Sequence, residues 1–377
     1  MHRGTRVLLL VLALLHPIPA AGHTGGSTEV QVWVRPGQDL GGVEAAIDTR
    51  MAPALRLTST DGTPVELLDA DGRAYLRVDG DGVHANLASP AWVTSSDPQG
   101  LLEQPDDLPA ASTWTQVSTQ PTWAVYDHRL HPQPLGPPLD VAAAGEEAEL
   151  GELALPLVVD GQATDLLLTE LFRPSAGIHT TRLEEATVPA GTLVRVVDGA
   201  MPSVSLAVDA GRTATVAGVD DEPMLEVAAD GTVRANLASP TWVDSRRAEL
   251  GMVPTIVVDP TAEPVWEQVG TGGMVTWTDV RVDPALAEPT DPTAWLEEEN
   301  TIGRTALPIT VDDVEAEVVI TNVWIRFGDP GSYLEDGAEV AGGGLPGWVR
   351  WAAMAVVAVG ALTLLRRPRR RRAGPGR

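Results

Sequence analysis

Residues 126–131 read Tyr-Asp-His-Arg-Leu-His, and two of the chain's seven histidines stand there, three positions apart, beside an aspartate and an arginine. Two chemistries fit these residue types. An imidazole pair suits copper or zinc, with Asp127 orienting a ligating ring. Asp127 and Arg129 alone make a charge-assisted brace, a planar guanidinium fork on a carboxylate. On a strand, Asp127, Arg129 and His131 share one face and His128 points to the other. A metal needs a third ligand. His23 is the best placed, since a mature N-terminal histidine offers copper both an amine and a ring nitrogen; His84 and His179 are the other candidates. The metal reading is therefore a copper site of His23, His128 and His131.

The chain supplies its own control, because it repeats. "ANLASPAWV" (Ala85–Val93) recurs as "ANLASPTWV" (Ala235–Val243). "WTQV" (Trp114–Val117) matches "WEQV" (Trp266–Val269), "LPLVVDG" (Leu155–Gly161) matches "LPITVDD" (Leu307–Asp313), and Thr169 and Phe172 fall on Thr321 and Trp324. Two tandem domains explain this, residues 23–178 and 179–331, each far longer than a solenoid repeat. Asp127 and Arg129 return as Asp279 and Arg281, whereas both histidines are absent from copy two. The Asp–Arg pairs thus read as structural, and the histidines as something the fold can do without.

Other chemistry is weaker. The runs Asp69–Gly72 and Asp79–Gly82 lack the spacing of a calcium loop and read as hairpin turns. "GTGG" (Gly270–Gly273) lacks the context of a phosphate loop. There is no G-x-S-x-G, no H-E-x-x-H and no cysteine. Glu146-Glu147, Asp312-Asp313 and Glu297–Glu299 lie in polar runs, which are usually solvated faces. A hydrolase with acidic catalysis is the remote alternative, and the chain reads as a non-enzyme. Trp92 and Trp242, at matched positions, read as core anchors. Asn86, Ser89 and Pro90, like Asn236, Ser239 and Pro240, read as turn chemistry.

The elements that must position these residues are strands. "EVQVWV" (Glu29–Val34), "AYLRV" (Ala74–Val78), "TDLLLTELF" (Thr164–Phe172) and "AEVVITNVWIRF" (Ala316–Phe327) alternate or are rich in branched residues. Asp-Gly pairs punctuate them, and no long amphipathic helical period is present. The expected fold is all-β, two tandem immunoglobulin-like β-sandwich domains. Pro-rich, acidic loops interrupt it at 96–112, 132–151 and 284–303.

Both ends carry targeting signals. Arg3 and Arg6, the apolar run Val7–Leu15 and the small residues Ala20–Gly22 read as a signal peptide over 1–22. Cleavage after Gly22 exposes His23, and cleavage after Ala20 is the alternative. Residues 332–344 form a stalk. Leu345–Leu365 is 21 residues long, about 31 Å as a helix, enough to span a bilayer. The tail 366–377 is arginine-rich and stays cytoplasmic, which puts the rest outside. Of the 26 arginines, Arg3 and Arg6 precede residue 22 and eight follow residue 345, leaving 16 against 52 acidic residues, about −36 for the exported part. Such a charge repels nucleic acid and anionic lipid.

The run Asp69–Pro90, the D-H-R-x-H stretch, "LPLVVDG" and the C-terminal anchor together resemble an uncharacterised family of exported, C-terminally membrane-anchored actinobacterial proteins. The family's most specific piece is Trp-His-Asp-His-Arg-x-His-Trp. Copy one keeps Asp127, His128, Arg129 and His131, with Val125, Tyr126 and Pro132 at the flanking positions; copy two keeps Trp277, Asp279 and Arg281, with Thr278, Val280 and Asp283 where histidines would stand. Members usually carry one such domain, so the duplication is a departure. The resemblance implies an anchored outer-surface domain and no chemistry. The expectation is a single-pass membrane protein whose ectodomain is a structural or interaction module with a protein partner at the cell surface. The alternative is an extracytoplasmic copper-binding protein.

Overall fold

The computed structural model describes residues 30–50, 53–98, 102, 108, 111–130, 137–174, 177–199, 201–283 and 299–326. The expected signal peptide, His23, His131, the stalk, Leu345–Leu365 and the arginine tail lie outside the described residues. Among the described residues no helix is long and apolar enough to cross a membrane.

Among the described residues each copy contributes ten strands. In copy one they are β1 (Val30–Val34), β2 (Val43–Asp48), β3 (Ala54–Ser59), β4 (Val65–Leu68), β5 (Ala74–Asp79), β6 (Gly82–Asn86), β7 (Trp114–Ser118), β8 (Thr122–Val125), β9 (Ala148–Val159) and β10 (Gln162–Phe172). In copy two they are β11 (Gly177–Thr187), β12 (Thr192–Val197), β13 (Ser203–Val208), β14 (Ala214–Ala217), β15 (Pro223–Val227), β16 (Val233–Asn236), β17 (Trp266–Gly270), β18 (Met274–Thr278), β19 (Glu299–Val311) and β20 (Val314–Arg326). Copy one forms a seven-stranded sheet, β1-β10-β9-β4-β5-β6-β7, and a three-stranded one, β2-β3-β8; copy two repeats both orders strand for strand.

The two sheets of a copy pack face to face. Leu55, Leu57 and Trp123 of the small sheet share one buried cluster with Leu67, Leu76 and Leu157 of the large one. Val204, Leu206 and Trp277 do the same with Val216, Leu225 and Ile309 in copy two. The alternation that made β10 legible is visible in its register with β9: Leu166 faces Leu155, and Leu157 and Leu168 are also buried. The fold is all-β and sandwich-like, as the strand pattern implied.

Three short helices were not foreseen: α1 (Pro90–Thr94), α2 (Leu139–Ala144) and α3 (Pro240–Leu250). The residues read as turn chemistry start two of them. Ser89 Oγ accepts from Ala91 N–H, Ser239 Oγ accepts from Trp242 N–H, and a proline follows each serine at the first helical position. Helix α2 and the start of β9 occupy ground that was expected to be loop. The strand β11 belongs to the sheet of copy two, so copy two opens by Gly177. Both copies fall within one compact unit.

Candidate functional site

Tyr126–Leu130 is not a strand. Strand β8 ends at Val125, and His128–Leu130 is a single 3-10 turn closed by Leu130 N–H donating to Asp127 O at 2.8 Å. The strand-face alternation considered for Asp127, His128 and Arg129 therefore does not apply to them. Copy two closes the same turn with Val282 N–H on Asp279 O at 3.1 Å.

Inside these turns the two Asp–Arg pairs are near copies. Arg129 Nε and Nη2 reach Asp127 Oδ1 and Oδ2 at 2.9 and 2.5 Å, and Arg129 Nη2 also donates to Leu68 O at 2.9 Å. Arg281 Nε and Nη2 reach Asp279 Oδ1 and Oδ2 at 2.9 and 2.7 Å, and Arg281 Nη1 donates to Ala217 O at 2.8 Å. Leu68 and Ala217 end the matched strands β4 and β14. Each arginine thus ties the turn after β8 or β18 in the small sheet to the large sheet. The third donor to the carboxylate differs: Tyr75 Oη at 3.2 Å in copy one, Trp277 Nε1 at 2.9 Å in copy two. Met224 stands where Tyr75 does, so Trp277 restores the lost hydrogen bond. Burial by itself pushes both aspartate carboxyls up; the arginine beside each overrides it and holds them below the usual range.

Of the three histidines read as a copper site, only His128 is among the described residues. His128 is exposed on its turn, and His23 and His131 lie outside. His84 sits in β6 with Nδ1 3.9 Å from Asp79 Oδ2, and His179 sits in β11. Among the described residues no three His, Asp or Glu side chains stand close enough to share a metal. The acidic pairs have ordinary places. Glu147 pairs with Arg173, Glu299 with Arg182, and Asp312-Asp313 form the β19–β20 turn.

Sequence reasoning missed the seam between the copies. Helix α3 and the chain after it lean into copy one. Val243 and Val258 of copy two are buried in copy one's core cluster, and Met252 and Val253 pack on it. Val258 pairs with the edge of β7: its N–H donates to Val117 O at 2.8 Å and its carbonyl accepts from Thr119 N–H at 3.0 Å. Met252 N–H donates to Ser96 O at 3.1 Å. At the centre is Arg247, fully buried, with its guanidinium 4.2 Å from the Trp123 ring centre and 5.3 Å from that of Tyr126. Its Nη2 donates to Ala124 O at 2.8 Å, and its Nη1 lies 3.7 Å from Asp244 Oδ1. Asp48, Arg50 and Arg56 flank the seam, with Arg56 bridging Asp48 at 2.8 Å and Asp244 at 3.9 Å.

A second buried group was also missed. Glu222 is 2% exposed and accepts from Ser239 Oγ at 2.6 Å, Thr241 N–H at 3.3 Å and Asp220 N–H at 3.0 Å. It fixes the start of α3, the helix that carries Arg247. The available signal for Arg247 was divergence: after nine nearly identical residues, copy one reads Thr94-Ser95-Ser96-Asp97 where copy two reads Asp244-Ser245-Arg246-Arg247.

Comparison with protein-family models, curated proteins and solved structures finds no match to this chain.

Proposed function

We propose that the chain is a membrane-anchored interaction protein of the cell surface, held by Leu345–Leu365, with both copies outside. Each copy serves as an immunoglobulin-like module, and the resemblance to exported, anchored proteins supports the same reading. The observation that carries it is the seam. Two sandwiches joined through a buried arginine and a shared strand edge make one continuous body with loops and sheet edges open to a partner. The exported part carries about −36, which suits a protein or cationic partner and opposes nucleic acid.

Protease added to intact cells tests the topology. An epitope inserted at residues 132–136 is expected to be lost, and a tag after Arg377 is expected to be protected. Protection of the inserted epitope until lysis overturns the reading. Copper titration of the mature chain, beside a His128→Ala/His131→Ala double variant, tests the rival. Weak binding, equal in both, is expected from a carboxylate-rich surface. Tight binding of one copper per chain, lost in the double variant, replaces the interaction reading with a metal-handling one.

A further inference from the structure

The two copies agree strand for strand, yet their corresponding edges differ. In copy one, Ser96 just after α1, Val117 on β7, and Trp123 and Ala124 on β8 all meet copy two, and Val117 and Trp123 are 3% and 4% exposed. The corresponding positions of copy two are Arg246, Val269, Val275 and Thr276. Among the described residues no segment closes over them as copy two closes over copy one. Val269 is 41% exposed, and Met274 nearby is 61% exposed. Together with Leu237 and Trp242, these four positions line an open cleft of about 340 Å³ between β17 and β18. A cleft of that size accepts several side chains.

We propose that this cleft is a docking groove for an extended, apolar segment of a partner polypeptide, seated on the edge of copy two as Met252–Val258 is seated on the edge of copy one. The chain itself displays the precedent: the same edge, one repeat earlier, is closed by Met-Val-Pro-Thr-Ile-Val-Val. The groove also continues the existing interface, since Met252 and Val253 line it while packing on copy one's core. Edge-strand pairing supplies main-chain hydrogen bonds, Leu237, Val253, Val269 and Val275 take branched side chains, and Arg246 and Glu267 line the cleft beside them. A second copy of this chain fits poorly. The stretch of copy one that corresponds to Met252–Val258 carries Glu103, Asp106 and Asp107 rather than an Ile-Val-Val run, and the chain's net charge is −26.

The inference rests on the interaction reading and names its surface. The test uses the full chain in detergent micelles and a fluorescent peptide with the sequence of Gly251–Asp259. Saturable one-to-one binding is expected, weakened at least tenfold by Val269→Arg and by Thr276→Arg, and unchanged by Val314→Arg, an exposed position at the start of β20 that does not line the cleft. Both cleft positions are solvent-facing, so these variants keep the fold, and circular dichroism checks it. Equal binding by wild type and both cleft variants overturns the proposal, as does no binding at millimolar peptide. Concentration-dependent self-association abolished by Val269→Arg overturns it in favour of a second copy as occupant. If the peptide fails while protease shaving still places both copies outside, the groove is lost and the interaction reading stands.

Discussion

Arg247 of copy two lies 4.2 Å over the Trp123 ring of copy one, and no part of it reaches solvent. Burial pushes its guanidinium pKa down, yet an arginine stays charged at neutral pH. Two flat aromatic faces, one carbonyl and a nearby carboxylate stand in for the lost water. The arrangement is incomplete: Arg247 Nε and Nη1 have no hydrogen-bond partner among the described residues. The seam thus holds its charge by packing as much as by hydrogen bonding.

Two variants separate these contributions. Arg247→Ala leaves a cavity under Trp123 and removes the donor to Ala124 O, a loss of about 3–4 kcal/mol. Arg247→Met keeps most of the volume and removes the two unpaired N–H groups, so it is expected to stay within about 1–2 kcal/mol of wild type. Calorimetry checks the coupling. Wild type should melt in one transition, and Arg247→Ala should separate the two copies into two. A single, unshifted transition in Arg247→Ala contradicts the role given to the seam.

The paired turns predict unequal costs for one substitution. In Asp279–Arg281 the side chains are 0% and 9% exposed; in Asp127–Arg129 they are 8% and 27% exposed. Breaking a buried pair strands the surviving charge, at about 3–5 kcal/mol. Asp279→Asn should reach that range, and Asp127→Asn should fall below it because water can reach Arg129. Urea unfolding of the two variants measures both. Equal losses, or a larger one in copy one, would show that burial does not set the cost.

Much of this fold was legible in the sequence. The repeat gave the two copies, branched alternation gave β1, β5, β10 and β20, and Asp-Gly pairs gave the hairpins. The Asp–Arg spacing read as a brace because it survived duplication while the histidines did not. Helix α3 was illegible for a physical reason. Thr241, Ser245 and Arg247 are buried beside Trp242 and Val243, so polar and apolar residues face the interior together and no amphipathic stripe arises. Its surroundings are another copy's edge, which local periodicity does not encode. Whether Asp127–Arg129 would brace a sheet or a loop was left open by the sequence; it is a turn, because Asp127 accepts from its own downstream backbone, Arg129 N–H at 2.9 Å.

Acid should loosen the seam through Asp48. Burial pushes its carboxyl up, but hydrogen bonds from Arg50 and then Arg56 bring it down to about 2. A depressed carboxyl contributes stability that is present above its unfolded pKa and is lost as pH falls through the folded one. The window here runs from about pH 4 to about pH 2, and a shift of this size corresponds to about 2 kcal/mol. Asp48→Asn should lower stability at neutral pH and flatten its decline across that window, read as the urea midpoint against pH. A variant that keeps the wild-type slope would remove Asp48 from the acid response.

The β19–β20 turn carries a conflict that the β9–β10 turn avoids. Both hairpins need two consecutive residues with positive φ, the geometry that matches strand twist. Copy one supplies Asp160 at 47° and Gly161 at 75°; copy two supplies Asp312 at 47° and Asp313 at 64°. Asp312 is held there by Arg212 and Thr213, at 2.7 and 2.8 Å. At Asp313 a side chain occupies a conformation that glycine adopts freely. Asp313→Gly should therefore stabilise the chain by about 0.5–1 kcal/mol, even though glycine gains more freedom when unfolded. Gly161→Asp should cost about the same in copy one. Denaturation midpoints of the two variants should move in opposite directions; movement in the same direction would mean that the turn's φ angles do not govern the difference.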